Sequence, residues 1–219
     1  MQSRFCLFLL LALSLSIIIS GCGKRPRSTA DVPRSVSHSY VVHVAPFTQP
    51  IVSAQLITGS IPEPQGRISE NQLFALDQQM RTILSTETSR QYKFITVIDH
   101  PREITQFHNA GQPQALPLWL DYGKKQGAQL LLVPQVLDWH EREGSAAGVT
   151  TPAHVRVEFF LLNVDKGLVL GRSIFEEKQQ GLVDNLLNVP SFIQRRGQWV
   201  TAEQLCTDGI RKAAKDLGL

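Results

Sequence analysis

The sequence predicts an α/β (α+β) protein, a single mixed β-sheet packed with about three helices in the order β-α-β-α-β-β-β-α. Three observations lead to this prediction. Two amphipathic segments each begin with a capping box, which is typical of helices that cover a sheet. An apolar run at residues 128–137 is too short for a buried helix and indicates a central strand. Two strand-like segments joined by a tight link at Gly167 predict a hairpin.

The first strand and helix are predicted between residues 39 and 84. Residues 39–47 are β-branched and apolar and end at prolines, which indicates a strand. Residues 48–67 form a long loop, and a connection of this length inside a domain is often functional or mobile. Ser69 and Gln72 form the first capping box, and the apolar residues that follow have helical spacing: Leu73, Leu76, Met80, Ile83 and Leu84.

The sequence from residue 92 to residue 137 predicts a strand, a helix and then the central strand of the sheet. Residues 92–98 indicate the second strand, and residues 116–125 a helix that stops at Gly127. The apolar run that follows indicates a strand buried on both faces, with a bulge or local edge at Pro134.

The last elements are a hairpin and a helix. Residues 138–150 turn the chain, and residues 154–164 and 168–179 pair around Gly167. In the first of these strands one face is apolar, and the face with Glu158 and Phe160 is expected to be largely solvated. Thr201 and Gln204 form the second capping box and begin the C-terminal helix.

The N-terminus predicts a lipoprotein signal peptide over residues 1–21. Arg4 precedes an apolar run of residues 5–19, which is too short to span a membrane but suits a signal peptide. The run ends in Ile-Ser-Gly-Cys, which resembles the bacterial lipobox, with cleavage between Gly21 and Cys22. Cys22 is therefore the predicted lipidation site, where acyl chains such as palmitate anchor the protein to the membrane. The alternative is an ordinary secretory signal that leaves Cys22 as a free thiol.

The predicted domains are the signal peptide, an acylated N-terminus and flexible tether at residues 22–38, and a periplasmic α/β domain at residues 39–219. The tether is rich in basic residues and prolines and has no structural period. The formal net charge of +3 gives no reason to expect nucleic acid as a partner. After cleavage and acylation only Cys206 remains, so no internal disulfide is expected. Its helical position favours a core thiol over a reactive one.

The sequence contains no catalytic, nucleotide or cofactor motif, and it predicts neither an enzyme nor a cofactor. The six histidines show no metal-ligand spacing, so no metal site is expected. The densest polar cluster, residues 138–143, follows the central strand and is either a ligand site or a solvated turn with ion pairs. Arg195, Arg196 and Trp199 form a candidate partner contact. The alternative for them is a solvated loop with Trp199 folded onto the core.

Three segments carry a resemblance to known proteins: VVHVAPF at residues 41–47, YGKKQGAQLLLVP at residues 122–134, and the hairpin at residues 155–174. They resemble a group of bacterial outer-membrane lipoproteins. The α/β fold of that group is shared by the curli secretion lipoprotein, the lipoprotein activators of penicillin-binding proteins and the N-terminal domain of TolB. The resemblance implies that the protein is not an enzyme. It implies instead a scaffold, pore subunit or protein activator of the cell envelope.

These inferences combine into one functional hypothesis. The chain is expected to be a lipid-anchored periplasmic lipoprotein that binds another envelope protein, as part of an assembly or secretion machine. The alternative is a small-molecule or glycan-binding lipoprotein that uses the loop at residues 48–67 and the strand ends. In enteric bacteria, the signal that retains lipoproteins in the inner membrane is typically an aspartate directly after the acylated cysteine. This chain has Gly23 at that position. Anchoring at the periplasmic face of the outer membrane is therefore expected.

Overall fold

A mixed five-stranded sheet organises the chain. The computed structural model describes residues 36–37, 39–96, 112–146, 148–179 and 199–219. All of them belong to one compact unit, Pro33–Leu219. The strands are β1 (Val42–Val44), β2 (Tyr92–Phe94), β3 (Leu130–His140), β4 (Glu143–Gly144), β5 (Val149–Thr151), β6 (His154–Asn163) and β7 (Leu168–Lys178). The helices are α1 (Glu70–Glu87), α2 (Leu116–Lys125) and α3 (Ala202–Asp216).

The strand order in the sheet is β2-β1-β3-β6-β7. β1 runs parallel to both β2 and β3, whereas β6 and β7 continue the sheet as antiparallel strands. The predicted α/β class and order of elements are confirmed. The structure adds a small hairpin, β4-β5, inside the segment that was predicted only to turn the chain.

Both predicted capping boxes are present. The hydroxyl of Ser69 accepts from the N–H of Gln72, and that of Thr201 accepts from the N–H of Gln204. Each glutamine side chain accepts in return from the N–H of the capping residue. Local hydrogen bonding therefore sets where α1 and α3 begin.

The helices α1 and α3 pack side by side on one face of the sheet. Their buried side chains join the inward side chains of the strands in one core cluster, which includes Leu76, Met80, Leu205 and Ile210. At the outer seam Arg211 donates to both carboxylate oxygens of Glu87, at 3.0–3.1 Å. The core on this face is larger than the core on the opposite face of the sheet.

The opposite face of the sheet is also buried along the middle and end of β6, which corrects the expectation of a solvated face on that strand. Phe160 and Glu158 are fully buried there. α2 contributes Trp119 and Tyr122 to a second core cluster, and the segment after β1 contributes Ile57. The alternation in β6 predicts one buried and one solvated face. In the structure, α2 and the loop at residues 48–67 cover the face with Glu158 and Phe160.

The central strand has its irregularity three residues later than predicted. The register between β3 and β6 shifts between Val136 and Asp138, not at Pro134. Pro134 lies where β1 has ended. The N–H of Ala45 donates to Leu132 and that of Thr48 donates to the carbonyl of Pro134. Proline has no N–H, and the position of that missing donor falls between these two hydrogen bonds, where β1 offers no strand partner. The pairing of β3 therefore loses little at Pro134.

Several element bounds differ from the prediction. The first strand is three residues long instead of nine, because Tyr40 and Val41 are exposed and Pro46 interrupts the chain. The second strand ends at Phe94: residues 95 and 96 of its predicted range are not strand, and residues 97 and 98 lie outside the described residues. Gly127 and Gly167 both have φ of +67°, as the predicted helix stop and hairpin turn require.

Arg90 joins the beginning and the end of the described fold. Its Nη1 donates to the carbonyls of Ser37 at 2.9 Å and Tyr40 at 3.3 Å. Its Nη2 donates to the carbonyls of Val36 and, at 3.3 Å, Gly218. One guanidinium therefore holds the segment before β1 against the residues after α3.

The predicted signal peptide and Cys22 lie outside the described residues, as does most of the predicted tether. Within the described part of the chain, no helix combines the length and apolar character needed to cross a membrane.

Candidate functional site

Asp138 is the buried polar residue at the centre of the candidate site. It follows the bulge in β3, and its side chain is only 5% exposed. Oδ1 accepts a hydrogen bond from the N–H of Gly66 at 2.6 Å. A buried carboxylate requires such partners, because losing water without replacement is costly.

Two histidines complete the cluster. Nε2 of His140 lies 3.1 Å from Oδ1 of Asp138, and Nδ1 of His154 lies 3.1 Å from Oδ2. The two imidazole rings are stacked, with centroids 5.9 Å apart and planes 8° apart. One ligand atom from each of the three residues can be chosen so that all three lie within 4.8 Å of one another. We call Asp138, His140 and His154 the histidine-aspartate cluster.

The topology of the sheet brings these residues together. Asp138 and His140 are two residues apart at the end of β3, so they share a face of the strand. His154 begins β6 and is paired with His140 across the antiparallel ladder. Glu176 of β7 extends the group, with Oε1 3.7 Å from Nε2 of His154.

The loop at residues 48–67 packs beside the cluster and is fixed by glutamine side chains. Gln65 donates to the carbonyls of Pro50 and Leu137, at 2.8 and 2.9 Å. Gln49 donates to the carbonyl of Gly66 at 2.8 Å. The buried Gln135 of β3 accepts from the N–H of Ile57 at 3.3 Å. These bonds hold the loop at residues 48–67 against the sheet.

Gly66 is the point of closest approach between loop and cluster. A Cβ atom at this position would lie 2.2 Å from the carbonyl oxygen of Trp139 and 2.7 Å from Nε2 of His140. Only glycine therefore allows the N–H of residue 66 to reach Asp138.

The spacing of histidines in the sequence did not reveal this cluster. His140 and His154 are separated by the β4-β5 hairpin, and no local motif joins them. Asp138 and His140 do belong to the polar segment at residues 138–143 that was considered as a ligand site. Of the other histidines, His43 is buried in β1, where desolvation and then Lys93 lower its pKa. The remaining three, at positions 38, 100 and 108, lie outside the described residues.

Trp199 is the described member of the candidate partner contact. It is half-buried, its N–H donates to the carbonyl of Ala146 at 3.0 Å, and its carbonyl accepts from Arg142. Its main chain is thus fixed against the β4-β5 hairpin. Arg195 and Arg196 lie outside the described residues, as do Gly21 and Cys22.

Cys206 is fully buried in the core beneath α3. Burial raises the pKa of its thiol, and Glu203 raises it further. The thiol is therefore protonated and has the properties of a small core residue.

No family model and no curated protein matches the chain. It is similar to the PelC dodecamer from Paraburkholderia phytofirmans, with 13% identity, a TM-score of 0.48, and coverage of 85% of this chain and 92% of that one. It is similar to lipoprotein GNA1162 from Neisseria meningitidis, with 13% identity, a TM-score of 0.37, and coverage of 72% and 98%. It is also similar to the LpoB C-terminal domain from Salmonella enterica, with 11% identity, a TM-score of 0.37, and coverage of 67% and 87%.

The resemblance predicted from the sequence is thus present as a likeness of the fold to these three structures, one of which is named a lipoprotein. The likeness is distant and does not extend to activity or partners.

Proposed function

We propose that the protein is a non-enzymatic, lipid-anchored lipoprotein of the bacterial cell envelope that binds another envelope protein through the outer edge of its sheet. Cys22 carries the anchor, and the domain works at the periplasmic face of the outer membrane. The lipobox-like sequence before Cys22 and Gly23 after it support this location.

The open edge of β7 is the observation that carries the proposal. β7 is eleven residues long and pairs with β6 on one side only. Among the strands that the structure describes, none pairs with its other side. A long edge strand presents main-chain N–H and C=O groups to which an extended segment of a partner adds as a further strand.

The side chains of β7 fit such an interface. Leu168, Leu170 and Ile174 are among the exposed large hydrophobic residues of the protein. Arg172 and Glu176 flank Ile174 on the same face of the strand. Exposed apolar residues supply affinity for a partner, and the charges beside them discourage unselective strand pairing.

Photocrosslinking in cells tests the proposal. A photoreactive amino acid replaces Ile174 in one variant and Phe74 in a matched control, because Phe74 is also an exposed apolar residue but lies on α1. We expect a defined protein adduct at position 174 and none at position 74. The adduct should be lost when residue 170 is also changed to lysine.

Two results would contradict partner binding at this edge. One is the absence of a protein adduct at position 174 in cells that express the acylated protein. The other is an adduct of equal yield at both positions, which would indicate unselective contact. A small-molecule or glycan-binding role, the alternative, predicts the first of these results.

A further inference from the structure

We propose that Asp138, His140 and His154 bind a divalent first-row transition-metal cation, of which Zn²⁺ is the representative. The three proposed ligands lie outside β7, although Glu176 of β7 borders them, and the proposal does not depend on the proposed partner binding. The site joins the end of β3 to the beginning of β6, beside the loop at residues 48–67.

The separations of the ligand atoms are close to those of a metal site. The histidine nitrogens each lie 3.1 Å from an oxygen of Asp138, and one ligand atom per residue falls within 4.8 Å of the others. Ligand atoms in a tetrahedral zinc site are about 3.4 Å apart, as bond lengths of about 2.1 Å require. Small side-chain rotations therefore bring all three atoms into contact with one cation.

The donor types select the class of metal. Two imidazoles and one carboxylate suit Zn²⁺, Fe²⁺, Co²⁺, Ni²⁺ and Cu²⁺, whereas Ca²⁺ and Mg²⁺ prefer sites made of oxygen atoms. Three protein ligands leave at least one coordination position for water or an external ligand.

The surrounding residues orient two of the three ligands. The N–H of Gly66 donates to Oδ1 of Asp138 at 2.6 Å, which fixes the carboxylate and leaves Oδ2 beside Nδ1 of His154. Oε1 of Glu176 lies 3.7 Å from Nε2 of the same histidine. A cation between Nδ1 and Oδ2 requires the proton of His154 to be on Nε2, and the Glu176 carboxylate on that side stabilises this tautomer.

Burial and access also fit a metal site. The side chain of Asp138 is 5% exposed, so a cation would compensate a carboxylate that has lost almost all of its water. The side chain of His140 is 43% exposed, which gives a cation in solution a direct route to the cluster.

Calorimetric titration with zinc chloride alone tests the site. The full chain is purified in detergent, stripped of metal with a chelator and titrated. We expect one Zn²⁺ per chain and a higher melting temperature in its presence. His140→Ala and His154→Ala should each weaken zinc affinity by about tenfold or more. Glu143→Gln is the control, because this exposed carboxylate lies close in sequence but outside the cluster.

A second pair of variants tests the orienting carboxylate. Glu176→Gln should weaken zinc affinity by about tenfold. Glu177→Gln should leave it unchanged, because adjacent residues of a strand point to opposite faces. Circular dichroism checks that each variant folds. If His154→Ala does not fold, the more exposed His140 decides the question.

The proposal is overturned if the chelated chain takes up no zinc. It is also overturned if folded His140→Ala binds zinc as tightly as the parent and Glu143→Gln do. Neither result bears on crosslinking at Ile174, so the two proposals fail independently.

Discussion

Arg172 donates two hydrogen bonds to one carboxylate oxygen of Glu158, from Nε at 2.9 Å and from Nη2 at 2.6 Å. Glu158 is fully buried on β6, and its other oxygen accepts from Nη2 of Arg156 at 3.3 Å. The loop at residues 48–67 closes over the pair, since a Cβ atom at Gly59 would lie 3.1 Å from Nη2 of Arg172. A buried charge thus lies within the second core, balanced by two arginines.

Arg172→Met should destabilise the fold by about 3 kcal/mol, because it leaves the Glu158 carboxylate buried with one arginine fewer. The double variant Glu158→Gln/Arg172→Met should recover part of this loss, since no charge remains to be compensated. Urea denaturation of a version that begins at Pro33 measures both changes. Equal losses for the single and double variants would show that Arg172 contributes packing alone.

Asp77 should make the fold less stable as pH rises from about 4 to about 6. Burial raises the pKa of its carboxyl to about 6, although the N–H of Phe47 and the charge of Arg81 both lower it. At a pH between the ordinary pKa of 3.8 and this raised value, the carboxyl of Asp77 is protonated in a larger fraction of folded than of unfolded molecules. Stability from this group is therefore greatest at low pH and decreases as pH rises through the window.

Asp77→Asn tests this dependence, because the amide oxygen can still accept from the N–H of Phe47, which donates to Asp77 at 2.7 Å. The variant should show a flatter stability profile between pH 4 and 6, measured by urea denaturation at a series of pH values. A profile identical to that of the parent would contradict the raised pKa.

Ile210→Ala should cost about 2 to 5 kcal/mol, because the side chain is fully buried beneath α3. Phe74→Ala is the control, since this exposed apolar residue on α1 should change stability by less than about 0.5 kcal/mol. Thermal melts compare the two variants. If Ile210→Ala melts like the parent, α3 does not contribute the core contacts described above.

Thr201→Ala should cost about 1 kcal/mol, because it removes the side-chain acceptor of the capping box that begins α3. Thr201→Ser retains an acceptor and should keep most of the stability. The same thermal melts measure both. A Ser variant as unstable as the Ala variant would point to lost methyl packing and not to the cap.

Cys22→Ala should abolish membrane association, because acyl chains on this thiol are the proposed anchor. Cys206→Ala should remain with the membrane fraction, since its thiol is buried in the core. Fractionation and intact mass of the purified protein are the measurements. Acyl mass retained on the Cys22→Ala protein would exclude this lipidation site, and sedimentation of the parent with inner-membrane markers would exclude outer-membrane anchoring.

The features that the sequence predicted well are local. The capping boxes at Ser69 and Thr201 need only residues three apart, and Gly127 and Gly167 need only their own backbone conformation. β3 is buried at all but its last residue, so the apolar run that predicted it was recognisable without knowledge of its neighbours.

The features that the sequence did not predict depend on distant parts of the chain. Glu158 and Phe160 look solvated in isolation and are buried because α2 and the loop at residues 48–67 cover them. The histidine-aspartate cluster needs the antiparallel register that places His140 opposite His154. Side chains that meet across a ladder leave no spacing motif along the chain.

Because one guanidinium, that of Arg90, contacts carbonyls of both Val36 and Gly218, the two ends of the folded domain are neighbours in space. Neighbouring ends make a domain suitable for circular permutation. A short linker from Leu219 to Val36, with new termini opened in the β6-β7 turn, would retain every strand of the sheet. The same proximity means that a reporter fused after Leu219 would emerge beside the segment that leads back toward Cys22, the proposed lipidation site.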